Sequence, residues 1–447
     1  MTPPASTDVR LGPSDAARAL LFAAAIALLA SCGDGGSGPA VSLRATPQSP
    51  ESAPAGSALE VRIEVRSPSG DVRPGTAVQL RIERGGGRLD PERPVADASG
   101  VARTRWTLGR APVRNALVAS AGRASLRLET RATLEVPYEP ERFGDVDGFL
   151  AAAGIEGSTE DLSFAPSGAL VLGVPGGLIE VSPEGEVRDV PLAGEPIVSP
   201  LGIAHESDGS LWVADPGGPA LRRVSPDGVV ETVLESDGDQ PLVGPNYVAI
   251  GPRGRVYLSD PCLGELLRYD PASNHVEAVH SFDLATEGGP NGFAFDASGE
   301  RLFVATENTA LLCGQSVVGL VDPVAGLFSL PVTESGFGAR EAIATRVALF
   351  GDGMAFDAEG NLYVIFDTER DFALEESAIW VLPAGEGALV KLAAVRGRVL
   401  ANLAFGRGAY GATTLYVSLL AVPPFTPASE RGVERLELGI PGQPLLP

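Results

Sequence analysis

Lysine, histidine and cysteine are scarce in this chain of 447 residues. Lys391 is the single lysine, there are three histidines and three cysteines, and 57 acidic against 34 basic residues give a formal net charge of -23. Such an acidic chain is a poor partner for nucleic acid and for anionic membrane faces. So few histidines, together with the lack of a G-x-S-x-G sequence, argue against a Ser-His-Asp hydrolase. They also argue against an electron-transfer protein that needs His or Cys ligands.

The N-terminal region lacks an apolar run of the ~20 residues that a membrane-spanning helix requires. The shorter run 19–30 follows two arginines and is typical of a signal peptide. It ends in LASC at Cys32, which resembles the lipoprotein box of bacteria. The resemblance implies that residues 1–31 are removed and that Cys32 is lipidated; a plain signal peptide with an incidental cysteine is the alternative.

Residues 32–39, rich in glycine, are interpreted as a flexible tether. Gly33 rather than Asp follows the cysteine, so nothing marks the protein for retention in the inner membrane. We therefore expect a periplasmic or cell-surface protein, anchored by lipid to the bacterial outer membrane.

Glycine and proline are abundant, at 55 and 38 residues, which favours many tight turns between short strands. Residues 40–136 alternate apolar and polar side chains with period two, as in ALEVRIEVR, and the runs are separated by turn clusters such as RGGGR. Short strands at this spacing predict an antiparallel β-sandwich.

One stretch of this first region resembles the group 1 bacterial immunoglobulin-like domain. The matching residues are the turn from Asp97 to Gly100, the strand from Trp106 to Gly109, and Asn115 to Leu117. The resemblance implies an immunoglobulin-like fold with Trp106 in its core. A spacer that holds the next domain away from the membrane and a module that binds a surface ligand are both compatible with it.

The rest of the chain contains six copies of one pattern: a short apolar run, a turn and a second apolar run. A small residue stands three places after each start. In five copies an aromatic or aliphatic residue follows it, and in the copy that starts at Leu201 the following residue is His205. The period of 40–60 residues predicts four-stranded units, and six of them predict a β-propeller over residues 145–447, so the whole chain is expected to be all-β. The copies start at Glu160, Leu201, Asn246, Asn291, Asp352 and Ala401.

Four of these six starting positions carry a side-chain oxygen. In a propeller they lie at one depth around the central axis, so their side chains can converge. Carboxylate and amide oxygens without His or Cys are the ligands that Ca²⁺ prefers. We therefore predict a divalent-cation site, with Ca²⁺ favoured and Zn²⁺, Mn²⁺ and Mg²⁺ as alternatives, on Glu160, Asn246, Asn291 and Asp352.

The Pro-Asn-Gly start of the fourth repeat and the Asp-Gly-Met start of the fifth resemble the gluconolactonase/regucalcin family of six-bladed propellers. This resemblance implies the same four metal ligands. Two departures stand beside it: Asp161 follows Glu160 where the family has Gly-Pro, and Gly244 and Tyr247 stand where members acting on sugar lactones have Arg and Asp.

The resemblance implies a metal-dependent hydrolase of lactones or related ester-like small molecules, with Asp352 as the catalytic base or nucleophile. A non-catalytic binding or adhesion propeller is the alternative, because propellers host many functions. His205 is interpreted as a core residue, and His275 and His280 as surface residues of an outer strand.

Two further expectations concern the longer connections. Cys262 and Cys313 each follow the second strand of their repeat, and both a disulfide and two free thiols are compatible with their positions. Segment 329–350 precedes Asp352 and is expected to fold over the channel mouth, with an outer loop as the alternative.

Overall fold

The architecture comes from a computed structural model, which describes residues 40–444 except 47–48, 310–312, 314–323, 335, 371–372 and 422–429. The predicted signal peptide 1–31, Cys32 and the whole tether 32–39 lie outside the described residues. Among the described helices, none is long and apolar enough to cross a membrane. Ala40–Pro447 forms one compact unit.

The first region folds into two four-stranded sheets with orders β1-β3-β6-β5 and β2-β8-β7-β4. A buried cluster that contains Trp106, Ile63 and Leu117 draws side chains from both sheets, so the core position predicted for Trp106 is confirmed. The immunoglobulin-like family assignment stays a prediction. The strands are β1 (Ser42–Ala45), β2 (Ser52–Pro54), β3 (Ala58–Arg66), β4 (Gln79–Arg84), β5 (Gly87–Asp90), β6 (Val101–Leu108), β7 (Arg114–Ala121) and β8 (Ala124–Thr133).

A short connection leads from the first region into the second. It contains strand β9 (Glu141–Arg142) and helix α1 (Val146–Ala153). The Asp145 carboxylate caps this helix by accepting a hydrogen bond of 3.0 Å from the Gly148 N–H. Gly154 ends the helix in the left-handed conformation, with φ of 69°, which glycine adopts at little cost.

The second region consists of six blades, here called blades 1 to 6, with four main antiparallel strands each, and blades 4 and 5 are joined into one nine-stranded sheet by the bridge between Glu307 and Phe350. Blade 1 contains β10 (Leu162–Phe164), β11 (Leu170–Val174), β12 (Gly177–Val181) and β13 (Val187–Asp189). Blade 2 contains β15 (Gly202–His205), β16 (Leu211–Asp215), β17 (Ala220–Val224) and β18 (Val229–Leu234), with β14 (Ala193–Gly194) parallel at its edge. Blade 3 contains β19 (Val248–Ile250), β20 (Val256–Asp260), β21 (Glu265–Asp270) and β22 (His275–Ser281).

Blades 4 to 6 repeat the arrangement. Blade 4 contains β23 (Gly289–Phe295), β24 (Arg301–Glu307), β25 (Ala325–Thr333) and β27 (Glu341–Ala348), with β26 (Gly336–Phe337) paired to β25. Blade 5 contains β28 (Phe350–Phe356), β29 (Leu362–Arg370), β30 (Ala373–Leu382) and β31 (Val390–Val395). Blade 6 contains β32 (Val399–Phe405), β33 (Thr414–Leu420), β34 (Gly432–Glu437) and, as its outermost strand, β9.

The first strands of the six blades contact one another in a closed ring. Each of β10, β15, β19, β23, β28 and β32 touches the next, and β32 touches β10. The ring is also closed by strand pairing out of sequence order, because β9 comes from before blade 1 and pairs with β34 of blade 6. The second region is therefore a six-bladed β-propeller, as the repeats predicted.

The repeat pattern has a direct packing explanation. The small residues at the third position after each start all line one central cavity: Ser163, Ala204, Ala249, Ala294, Ala355 and Ala404. The aromatic residue that follows packs edge-to-face on the second strand of the preceding blade. The observed pairs are Phe164–Tyr416, Phe295–Tyr257, Phe356–Phe303 and Phe405–Tyr363.

The prediction that segment 329–350 covers the channel mouth is wrong. Most of the segment forms the end of β25, β26 and β27, the outer part of blade 4. Its apolar side chains, such as Leu330 and Ala348, are buried in the cores between blades. These side chains are stabilised by packing in blade 4, which a position over the channel mouth would not provide.

Cys262 and Cys313 form a disulfide. It joins the residues after the second strand of blade 3 to those after the second strand of blade 4, which is one of the two arrangements that the sequence left open. Cys262 also donates its N–H to the Asp260 carboxylate at 3.1 Å.

The β-sandwich is in contact with blades 5 and 6. Ala111 and Val113 belong to a buried cluster that otherwise consists of propeller residues. The Gly85 N–H donates to both carboxylate oxygens of Glu359 at 2.9 Å, and Arg131 pairs with Glu386. The predicted domain limits, 40–136 and 145–447, stay a prediction.

Candidate functional site

The four predicted ligands occupy equivalent places on the innermost strands. Glu160 and Asn246 stand two residues before β10 and β19, and Asn291 and Asp352 lie within β23 and β28. All four are buried, with exposed fractions of 9%, 4%, 2% and 7% in chain order. All four therefore occupy equivalent, buried positions on the innermost strands, and their role as metal ligands stays a prediction.

A β-bulge aims two of these side chains. The pairing of β23 with β24 shifts between Pro290 and Phe293, and that of β28 with β29 shifts between Gly351 and Met354. The shifts fall at Asn291 and Asp352. A bulge interrupts the alternation of side chains, which turns them toward the channel without ending the strand.

The glycines after these positions allow the inner strands to approach closely. A Cβ atom on Gly292 would lie 2.4 Å from the Asp352 carbonyl oxygen, and one on Gly353 would lie 2.0 Å from the Asn402 Oδ1 atom. Only glycine fits this contact. The Gly of both quoted motifs, Asn-Gly and Asp-Gly, is thus required by convergence of neighbouring blades.

Direct and electrostatic contacts connect the predicted ligands. The Asn246 side chain is hydrogen-bonded to Glu160, whose pKa burial raises to about 8. The pKa of Asp352 is raised well above its usual range, first by burial and then by the charge of Glu160 and of other carboxylates. Glu160, Asn246 and Asp352 therefore belong to one buried polar cluster.

The sequence analysis missed another member of this cluster, Glu307. It ends β24, bridges to Phe350 in the strand that carries Asp352, and is 3% exposed. Its side chain is hydrogen-bonded to Asn291, and its pKa is raised by burial and by the charge of Glu160. Asp367, at the corresponding position within β29, also acts on the pKa values of Asp352 and Glu307.

The sequence contains a pattern that could have pointed to Glu307. Three of the six second strands end in a carboxylate residue, as in LWVAD and VYLSD, but these residues have different partners. The Asp215 carboxylate accepts the N–H groups of Val198 and Ser199, and Asp260 accepts those of Val243 and Gly244. These two residues hold loops. The sequence pattern alone does not separate that role from the role of Glu307.

The donor set fits a hard divalent cation. Asn291 Oδ1 and Glu307 Oε1 are fully buried oxygen atoms without a hydrogen-bond partner, which is costly unless another group satisfies them. Among the described residues, no three His, Cys, Asp and Glu side chains are grouped closely enough to hold one ion. A cation here would therefore depend on the amide oxygens of Asn246 and Asn291 as well as on carboxylates.

The next layer of the channel is closed by protein groups. The Asp161 carboxylate accepts the N–H groups of Leu162 and Ile203, both at 2.6 Å. The Tyr247 side chain is hydrogen-bonded to Asn402, and burial raises its pKa. Tyr247 also packs edge-to-face on Phe293, with ring centroids 5.0 Å apart. Asp161, Tyr247 and Phe293 also line the central cavity.

No family model matches the chain, and no curated protein matches it. Solved structures similar to it include a gluconolactonase from Xanthomonas campestris, 16% identical over 68% of this chain and 97% of that one, with a TM-score of 0.48. A calcium-binding protein, regucalcin, from Agrobacterium tumefaciens is 17% identical over 69% and 96%, with a TM-score of 0.49. A luciferin-regenerating enzyme is 15% identical over 69% and 99%, with a TM-score of 0.48.

Proposed function

We propose that the protein is a divalent-cation-dependent hydrolase of lactones or related ester-like small molecules. The observation that carries the proposal is the buried cluster of Glu160, Asn246, Asn291, Glu307 and Asp352, in which two oxygen atoms have no hydrogen-bond partner. Mutual repulsion of the carboxylates is relieved when a cation binds among them. Ca²⁺ fits the oxygen-only donor set best, with Mg²⁺, Mn²⁺ and Zn²⁺ as alternatives.

A bound cation would polarise the carbonyl group of the substrate and acidify water in the site. The protein residues have separate tasks. Glu160, Asn246, Asn291 and Asp352 would hold the cation, and the hydrogen bond between Asn246 and Glu160 orients two of them. Asp352 would accept the proton of the attacking water. A nucleophilic role for Asp352 is the alternative within the same proposal.

Glu307 is proposed as a positioning residue in this site. Its hydrogen bond with Asn291 fixes the amide so that Asn291 Oδ1 remains available to the cation. Tyr247 and Gly244 replace the charged residues that the family resemblance associates with sugar lactones. Since the partly buried Tyr247 packs against Phe293 and is hydrogen-bonded to Asn402, the substrate is proposed to be less polar than a sugar acid lactone.

The test is metal analysis of the purified chain, followed by a panel of lactones, aryl esters and phosphotriesters with and without EDTA. We expect one tightly bound divalent cation per chain and hydrolysis that EDTA abolishes and Ca²⁺ restores. Asp352→Asn should bind the cation more weakly and lose turnover. Activity that persists in EDTA, or a chain that binds no cation, would overturn the proposal.

A non-catalytic binding propeller is the second candidate function. The observation in its favour is burial, because each of the four predicted ligands is less than one tenth exposed, which leaves a substrate little access. In this case the cation would stabilise the ring. A bound cation without turnover on any substrate of the panel would support this candidate.

We also propose that the chain is attached to the outer membrane through lipid on Cys32 and that the β-sandwich acts as a spacer or binds a surface ligand. Mass spectrometry of the mature protein and fractionation of a Cys32→Ala variant test the attachment. An intact N-terminus, or membrane association unchanged by the substitution, would contradict it.

A further inference from the structure

The channel contains a second polar environment at the end opposite to the carboxylate cluster. A cavity of about 590 Å³ is lined by the small and aromatic residues of all six inner strands. Arg407 also lines it, six residues after Ala401 in blade 6. At ~3.3 Å per residue of strand, six residues span roughly 20 Å, less where the strand is bulged. Gly408 and Ala412 on the rim are exposed, so the cavity reaches the surface.

Arg407 is half-buried and makes no ion pair or hydrogen bond through its side chain with any other described residue. This is unusual in a chain in which acidic residues outnumber basic ones by 57 to 34. The pKa of Arg407 is lowered by burial, and no opposing effect of a carboxylate accompanies it. Arg223 and Arg268 differ, because glutamate partners raise their pKa values.

The other polar groups of the cavity do not neutralise this charge. Asp161 is the one carboxylate among the described residues that line it, and both of its oxygens accept backbone N–H groups. His205 is 8% exposed, its Nδ1 atom lies 3.0 Å from the Ser163 Oγ atom, and the charge of Arg407 helps to lower its pKa. An uncompensated guanidinium in a partly buried cavity is stabilised by an anion.

Gln443 supplies a second feature that a ligand can satisfy. Its side-chain amide donates to the Phe295 carbonyl at 3.2 Å, which fixes its orientation. Its Oε1 atom is buried and has no hydrogen-bond partner. A ligand that suits this cavity therefore carries a negative group for Arg407, a hydrogen-bond donor for Gln443, and an apolar body for the phenylalanine side chains that line the wall.

We propose that this cavity is a binding site for a small hydroxycarboxylic acid with an apolar body, held by Arg407 and Gln443. The site is independent of the carboxylate cluster and of the proposed hydrolysis. Arg407 binds the carboxylate through charge-assisted hydrogen bonds, and the hydroxyl group donates to Gln443 Oε1. The ring of small side chains leaves room for the apolar body between the inner strands.

Mandelate is the probe, with its neutral amide, mandelamide, as the matched ligand control, and EDTA is present so that a cation at the other end does not contribute. NMR signals of the imidazole groups report the position of binding, because the chain has three histidines. His205 lines the cavity, whereas His275 and His280 lie on β22, the outer strand of blade 3. We expect mandelate to shift the His205 signals and to leave those of His275 and His280 unchanged, and mandelamide to have no such effect.

Arg407→Gln should weaken mandelate binding about tenfold or more, the loss expected when one charge-assisted interaction is removed. The matched control is Arg253→Gln, since Arg253 occupies the corresponding turn of blade 3 but is exposed. Equal affinity in Arg407→Gln and wild type, equal shifts of all three histidines, or no binding of mandelate would overturn the proposal. If Arg407→Gln does not fold, the wild-type histidine shifts decide.

Discussion

Residues at equivalent positions of the six blades have different partners, and the partners determine what each residue does. Asp260 and Glu307 both end the second strand of their blade. Asp260 accepts several backbone N–H groups and holds a loop, whereas Glu307 Oε1 has no partner and its side chain contacts Asn291. The first is a structural carboxylate, and the second belongs to the candidate cation site.

His205 predicts a pH dependence of stability. It stands where four other blades have phenylalanine, and its pKa is lowered to about 4 by burial and by the charge of Arg407. The unfolded chain takes up this proton near pH 6.5 and the folded protein only near pH 4. The folded state therefore loses stability as pH falls from 6.5 to 4, by about 3 kcal/mol at most.

His205→Phe should remove this part of the acid sensitivity. The measurement is the free energy of unfolding of both proteins between pH 7.5 and 4.5, with His275→Gln on the exposed outer strand as control. A difference between His205→Phe and wild type that is independent of pH would show that His205 does not titrate as described.

The amide of Asn291 offers a sharp test of the cation site. Asn291→Ala removes the buried Oδ1 acceptor and should reduce the thermal stabilisation by Ca²⁺, which for a single site is ~2.7 kcal/mol at a hundredfold excess over Kd. Thermal unfolding with and without Ca²⁺ measures the effect. Asn274→Gly is the control, because Asn274 is an exposed turn residue with positive φ. Equal stabilisation of Asn291→Ala and wild type would exclude Asn291 as a ligand.

Two connections outside the repeat pattern hold parts of the propeller together. Strand β9 completes blade 6, where Arg142 donates to the Arg431 carbonyl at 3.0 Å and lies 3.6 Å from the buried Glu434 carboxylate. The Cys262–Cys313 disulfide connects blades 3 and 4 close to the loops that follow their second strands. Without these two connections, only packing between the blades would hold them in place.

The disulfide predicts a redox-dependent stability. It closes a loop with a sequence separation of 51 residues, for which the chain-entropy relation gives about 4 kcal/mol at most. The double variant Cys262→Ser/Cys313→Ser should therefore unfold at a lower temperature, and a reductant should lower the midpoint of the wild type but not of the variant. Identical midpoints for the oxidised wild type and the variant would contradict a stabilising role.

At the scale of the whole molecule, the sandwich and the propeller share buried surface although the sequence separates them. Glu359 of blade 5 accepts the Gly85 N–H, and a Cβ atom on Gly86 would lie 2.3 Å from the Gly439 carbonyl oxygen. The contact is therefore close and specific. It gives the sandwich a fixed set of partners on blades 5 and 6.

Glu359→Ala should weaken this contact, because it leaves the Gly85 N–H without an acceptor, at a cost of about 1–3 kcal/mol. In a background in which Trp212 and Trp380 of the propeller are replaced by Phe, fluorescence of Trp106 reports unfolding of the sandwich, and near-UV circular dichroism reports the propeller tyrosine and phenylalanine residues. We expect the variant to lower the midpoint of the Trp106 transition more than that of the propeller. Glu92→Ala, an exposed change in the sandwich, is the control. Midpoints that fall equally in both variants would argue against coupling through Glu359.

The sequence by itself determined the repeating architecture. Period-two alternation of apolar and polar residues indicates strands. The small residue in all six copies lets the inner strands converge, and the aromatic or aliphatic residue that follows it in five copies packs neighbouring blades together. It also identified Glu160, Asn246, Asn291 and Asp352 as equivalent positions, because a propeller brings the same register of each repeat to the same depth. These features depend on spacing, which a sequence displays directly.

Only the tertiary structure decided which side chains meet across blades. Glu307 lies in the carboxylate cluster because β24 bridges to the strand that contains Asp352. Most of segment 329–350 forms strands because its apolar side chains pack in the core of blade 4. Arg407 and Gln443 came to one cavity from different parts of the chain. Such contacts depend on the curvature of the closed ring and on which polar atoms lack a hydrogen-bond partner in the folded chain. The local pattern of residues specifies neither of these.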